Sequence, residues 1–174
     1  EHAIQKTYHD DDGLYWPAWN LKVTLVNGAR MGGFKYGKKA LYPFIQATTF
    51  IERDPRFVKE DGAAKTDYDE LHTTMGRVPP KTGAMVLVWR PMLNSSWRLR
   101  FAMNVTDNRI DATILHQSLV QAGQLVGMRS WRPEYGRFIV TQWDVTAFEN
   151  GQAADKPPAT SATKKATKRG KRDA

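Results

Sequence analysis

The chain has 174 residues, 41% apolar and 11% aromatic, with no cysteine and a formal net charge of +8. That length suits one domain plus appendages. The lack of cysteine excludes a disulfide framework, a Cys-ligated zinc site and thiol catalysis, and it favours a reducing interior such as a cytoplasm. No run approaches the roughly 18 apolar residues of a membrane span, and no apolar signal-peptide core stands at the start.

The charge is unevenly placed. From Gly151 onward seven basic residues face two acidic ones, a net +5, which leaves +3 on the preceding 150 residues. The same stretch contains no Val, Ile, Leu, Met or aromatic residue. It cannot bury enough apolar surface to offset its ordering entropy, so residues 151–174 are expected to be a disordered basic tail after a domain spanning 1–150. Lys164, Lys165, Lys168, Arg169, Lys171 and Arg172 suit a polyphosphate partner bound without sequence preference. The plainer alternative is a solubilising terminus.

In chain order, His9-Asp10-Asp11-Asp12 before Gly13 reads as an exposed turn rather than a metal site. Pro17 suits the first turn of a helix running to about Arg30, with Leu21, Leu25, Gly28 and Ala29 on one face, and Met31-Gly32-Gly33 stops it. Lys35, Lys38 and Lys39 surround a glycine turn, able to meet a phosphate backbone or simply to be solvated. A strand is expected from Ile45 to Ile51. Residues 54–83 lack a strong period and are expected to form a functional or poorly ordered loop.

AMVLVWRPM and SWRLRFAMNV, separated by LNSS, predict a hairpin. In the second, Trp97, Leu99, Phe101, Met103 and Val105 alternate with Arg98, Arg100, Ala102 and Asn104. One face is therefore buried, and the two arginines either line a groove or point to solvent. Asp111 caps a helix with Ile114, Leu115, Leu119, Ala122 and Val126 as its apolar positions. RFIVTQWDVTAF predicts a closing strand. The order β-β-α-β in this half implies an α+β domain, with a helix covering an antiparallel sheet.

Between that helix and the closing strand lies GMRSWRPEYGR. Gly127 and Gly136 permit close approach of a ligand backbone, Arg129, Arg132 and Arg137 offer planar donors to phosphate, and Trp131 and Tyr135 suit base stacking. Alternatively Trp131 and Pro133 pack the corner, with the arginines solvated or paired with Glu134 and Asp144.

Two segments carry a resemblance. YWPAWNLKVTLVNGARM, through Pro17, Leu21, Lys22, Leu25 and Arg30, resembles the helix opening of the RAMP superfamily of CRISPR RNA-binding proteins. AGQLVGMRSWRPEYGRF, through Gly127, Arg129, Tyr135, Gly136 and Phe138, resembles that superfamily's glycine-rich loop. The same segments, with Trp131, Arg132, Pro133 and Arg137, are also similar to a group of uncharacterised bacteriophage proteins, and that match is the closer one. It covers about a fifth of the domain, and Glu-Tyr-Gly replaces Gly-Tyr-Gly while Val23 replaces a glycine. The resemblance implies a ferredoxin-like (RAMP- or RRM-like) antiparallel sheet with helices on one face. Only a short segment, EHAIQKTYHDDDGLY, precedes the first helix, so either that sheet lacks its opening strand or the likeness is superficial.

The resemblance and the residues together imply a phage-type protein, in the bacterial cytoplasm, that binds single-stranded DNA or RNA without cofactor or catalysis. Its binding residues would be Lys22, Arg30, Lys35, Lys38, Lys39, Arg98, Arg100, the glycine loop and the tail, and a homo-oligomer or filament is a further implication. A virion or host-interaction protein is the alternative. A RAMP-like endoribonuclease using His72 or His116 is the third, although the histidines show no metal-ligand spacing and no P-loop, nucleophile elbow or dinucleotide fingerprint is present.

Overall fold

The computed structural model describes residues 6–77, 83–94, 97–128, 132 and 134–147. The chain divides into a compact unit, Glu1–Trp143, and a second stretch, Asp144–Ala174. Among the described residues the fold is α+β, with antiparallel strands that pair two by two. None of its helices is long and apolar enough to cross a membrane.

Helix α1 (Ala18–Gly32) begins after Pro17 and ends on Gly33, whose left-handed φ of 65° lets its N–H close on Arg30 O. No local side chain caps its start. Asp54 does so instead, accepting from Ala18 N at 2.6 Å across 36 residues. Leu21, Leu25, Val26 and Ala29 are buried along one face. That face meets α3 (Ala112–Gln121) so closely that a Cβ on Gly28 would stand 2.1 Å from Ser118 O and 2.6 Å from the Ala122 methyl. Only glycine permits this crossing. The buried hydroxyls of Thr24 and Ser118 bond back to the carbonyls of Asn20 and Ile114, so neither is stranded. Asp111 caps α3 as expected, accepting from Thr113 N at 2.6 Å. The helix then widens into a π-helical turn, Ala122–Val126.

The predicted strand over 45–51 is corrected to a short helix, α2 (Tyr42–Thr48), followed by a strand, β5 (Thr49–Ile51). Pro43 stands in the first turn, where its fixed φ favours the helix, and burial of Leu41 and Ile45 against α1 decides the matter. The loop expected over 54–83 also contains strands.

Besides two isolated bridges, the strands among the described residues form five pairs. These are β1 (His9–Asp10) with β2 (Gly13–Leu14), β3 (Lys35–Tyr36) with β4 (Lys39–Ala40), β5 with β10 (Met103–Val105), β6 (Phe57–Val58) with β9 (Arg98–Leu99), and β7 (Glu70–Arg77) with β8 (Met85–Met92). The hairpin expected between the segments flanking LNSS is therefore wrong. β8 turns back onto β7 over eight residues, from Glu70↔Met92 to Arg77↔Met85, while the second segment pairs with β5 and β6. Its alternation is real: Trp97, Leu99, Phe101 and Met103 face the core and Arg98 and Arg100 are exposed.

Two apolar clusters result. The larger joins α1, α2 and α3 through Leu25, Ala29, Leu41, Ile45, Leu115 and Leu119. The smaller gathers Leu14, Trp16, Leu21, Phe57 and Met128. Residues 137–147 form no ladder among the described residues, which corrects the predicted closing strand. Phe138, Val140 and Trp143 still pack on the larger cluster, and Ile139 points outward. Alternation reports a buried face. It does not guarantee a neighbouring strand.

Candidate nucleic-acid interface

The C-terminal end of α1 is a natural place for cations, because the unsatisfied carbonyls there carry partial negative charge. Arg30 occupies the last turn, with its guanidinium 4.7 Å from the Tyr42 ring centroid. Such stacking holds the planar group open to a further partner on its edge. Beside it Asn27 and Met31 of α1, Leu125 and Val126 of the π-helical turn, and Arg132 line an open groove of about 340 Å³. The groove thus has an apolar floor and an arginine from each of two distant segments.

The β3–β4 hairpin stands on the same end of α1. Gly37, at a φ of 60° and with open space around it, makes the tight turn that only a residue tolerant of the left-handed region enters easily. Leu41 N donates to Phe34 O at 2.9 Å, closing the hairpin's base, and the fully buried Leu41 side chain anchors it. Lys35, Lys38 and Lys39 are all exposed on this small projection, and Tyr42, against which Arg30 stacks, follows directly after Leu41.

The glycine loop is built differently from expectation. A Cβ on Gly136 would lie 1.8 Å from Met128 O, one on Gly127 2.8 Å from Tyr135 O, and one on Gly123 2.2 Å from Phe138 O. Met128 N bonds to Gly136 O at 2.8 Å and Gly127 N to Ala122 O at 2.7 Å. The space that glycine leaves is filled by the chain's own backbone, so these glycines fold the loop onto itself and are not openings for a ligand. Gly127 and Gly136 are positioning residues at most. Within the loop Arg132 and Arg137 are exposed, and the Tyr135 ring lies 5.3 Å from that of His72. Arg129 and Trp131 lie outside the described residues, as do Lys164, Lys165, Lys168, Arg169, Lys171 and Arg172.

No family model, curated protein or solved structure matches the chain. The interface therefore rests on geometry and charge. Lys22 sits over the Phe50 ring at 5.0 Å, and Arg98 and Arg100 emerge from the strand face opposite the core, so these three do not join the groove.

Electrostatics separates the cations into two groups. Arg56 is held by Asp10 and Asp12, Lys65 by Asp69 at 2.6 Å, and Arg109 by Asp107 at 2.6 Å while lying over Phe44. The carboxyls respond. Asp10 is drawn below its ordinary range chiefly by the Arg56 hydrogen bond, and Asp107 by that of Arg109. At Asp69 partial burial pushes upward, but the Lys65 and Asn94 hydrogen bonds outweigh it and the net direction is down. By contrast Lys22, Arg30, Lys35, Lys38, Lys39, Arg98, Arg100 and Arg132 form no ion pair among the described residues. They remain available to an external anion.

Among the described residues no three His, Cys, Asp or Glu side chains are grouped to hold a metal ion. The His72 ring lies 5.3 Å from that of Tyr135, and the His116 ring 5.1 Å from that of Trp143. Asn27, Met31, Leu125 and Val126 were not foreseen as groove residues. Their signal was faint: Met31 and Leu125 are apolar residues falling off the buried faces of their helices.

Proposed function

We propose that the chain binds single-stranded nucleic acid without cleaving it. The observation that carries this reading is the gathering of carboxylate-free cations at one end of α1: Arg30 and Arg132 on an open, apolar-floored groove, with Lys35, Lys38 and Lys39 on the adjoining hairpin. Arginine forks and lysine points grip phosphates, and an apolar floor accommodates base faces, which a duplex keeps stacked inside. The basic tail adds salt-sensitive affinity for any polyanion. In this reading the domain is a ferredoxin-like, phage-type relative of the RAMP proteins acting in a bacterial cytoplasm. Support for the ancestry comes from the order α1, β5, β10, α3, with the two longer helices packed together and β5 and β10 antiparallel.

Fluorescence anisotropy with labelled single-stranded DNA, single-stranded RNA and duplex DNA tests it, comparing the full chain with residues 1–150. The expected result is a single-strand preference kept by 1–150 and weakened about tenfold or more by Arg30→Ala combined with Arg132→Ala, at roughly 1–2 kcal/mol per charge-assisted contact. Equal loss for every polyanion on removing the tail would sink the proposal. The rival reading, a virion or host-interaction protein, draws on the exposed apolar face of the β7–β8 ribbon.

A further inference from the structure

The β7–β8 ribbon has two unlike faces. Because directly opposed residues of an antiparallel pair share a face, the register places Leu71, Thr73, Met75, Met85, Leu87, Trp89 and Pro91 together. Its five large apolar members, Leu71, Met75, Met85, Leu87 and Trp89, are each between 45% and 54% exposed. On the other face His72, Thr74, Val88, Arg90 and Met92 are half-buried, His72 lying against the Tyr135 ring, and Val86 is exposed. The ribbon's base is fixed by Asp69, whose N–H bonds to Met92 O and whose carboxylate accepts from Asn94 N at 2.7 Å. An isolated two-stranded ribbon is marginal in water, and an exposed apolar face of this kind gains stability when it is covered.

From these observations we infer that the ribbon is a homodimer contact, in which a second copy of this chain lays the same face over it about a two-fold axis. Among the described residues of the ribbon this face has no carboxylate, and its one charged member by register is Arg77, at the far end, so it carries no pattern of opposite charges for a different protein and too few cations to follow a nucleic-acid backbone. Rows of Met and Leu are self-complementary and repack readily, as an isologous contact requires. Half of five large side chains amounts to on the order of 500 Å² per copy, or about 1,000 Å² across the pair, the threshold for a specific interface. Two such ribbons would stack about 10 Å apart as a small sandwich.

Sedimentation velocity of the full chain across a concentration series, in about 0.5 M salt to suppress polyanion bridging, reads this directly. The expected result is a dimer that Met75→Glu and Leu87→Lys each weaken at least tenfold and that re-forms when the two variants are mixed. Both positions are half exposed, and circular dichroism checks that each variant stays folded. Val86→Glu, on the opposite face of the same strand, is expected to leave the dimer intact. A wild-type chain that stays monomeric, or a dimer equally indifferent to both face variants, overturns the inference. So does a monomer that instead floats with neutral phosphatidylcholine vesicles. Because the readout needs no nucleic acid, its failure is separable from failure of the binding proposal.

Discussion

Three glycines illustrate how differently one residue type acts. Gly136 has a φ of 77° and faces Met128 O where a Cβ would fall, so Gly136→Ala combines backbone strain with steric overlap. Urea unfolding should show a loss of about 3 kcal/mol or more. Gly33 has a φ of 65° with nothing within 4 Å, so Gly33→Ala carries the left-handed penalty alone, about 1–2 kcal/mol. Gly28 is helical and unstrained, yet its substitution must separate α1 from α3. At Asp111 the pKa lies below the ordinary carboxylate range because the Thr113 backbone N–H and side chain both favour its charged form. A depressed folded pKa means the cap's contribution is full above the unfolded carboxylate value, near 4, and fades as pH falls through the folded one. Asp111→Ala should therefore lower the thermal midpoint at pH 7, and the gap between wild type and variant should narrow as pH falls below the unfolded carboxylate value.

At the level of elements, legibility followed sequence distance. Helix α1 was readable because its signals are local: Pro17 opens it, Gly33 closes it and its apolar positions recur at helical spacing. The Asp111 cap was readable for the same reason. What failed depended on remote partners. Alternation along Trp97–Val105 told which side faces the core, but its neighbours, β5 and β6, lie far earlier in the chain. Ile45 fits either a strand or a helix by composition, and packing against α1 selected the helix. β7 hid because its apolar residues are few and interleaved with threonines. Of the interface, the individual cations were legible, whereas their division into paired and unpaired sets required the positions of Asp10, Asp69 and Asp107. Two measurements follow. Ile45→Ala should cost about 2–5 kcal/mol, since Ile45 is fully buried and would leave a cavity between α1 and α2. In hydrogen exchange, the amides of Ile139 and Thr141, outside any ladder, should exchange far faster than those of Asn104 and Thr106, which fall on the bonded positions of the β5–β10 pairing, Thr106 N donating to Thr48 O.

For the whole molecule, charge placement makes the binding proposal quantitative. Five cations cluster at the end of α1, namely Arg30, Lys35, Lys38, Lys39 and Arg132, and the segment from Gly151 onward adds a net +5. Each phosphate neutralised on a single strand contributes about −0.7 to the slope of log K against log salt. Residues 1–150 should therefore show a slope approaching about −3.5 if all five engage, steepening with the tail present. Arg30→Ala should flatten the slope of residues 1–150 by about 0.7, because a lost phosphate contact removes its share of released counterions. Arg56→Ala should leave it unchanged, because Asp10 and Asp12 already hold that guanidinium. A slope that responds equally to both substitutions would mean the strand reads overall charge, with no groove at the end of α1.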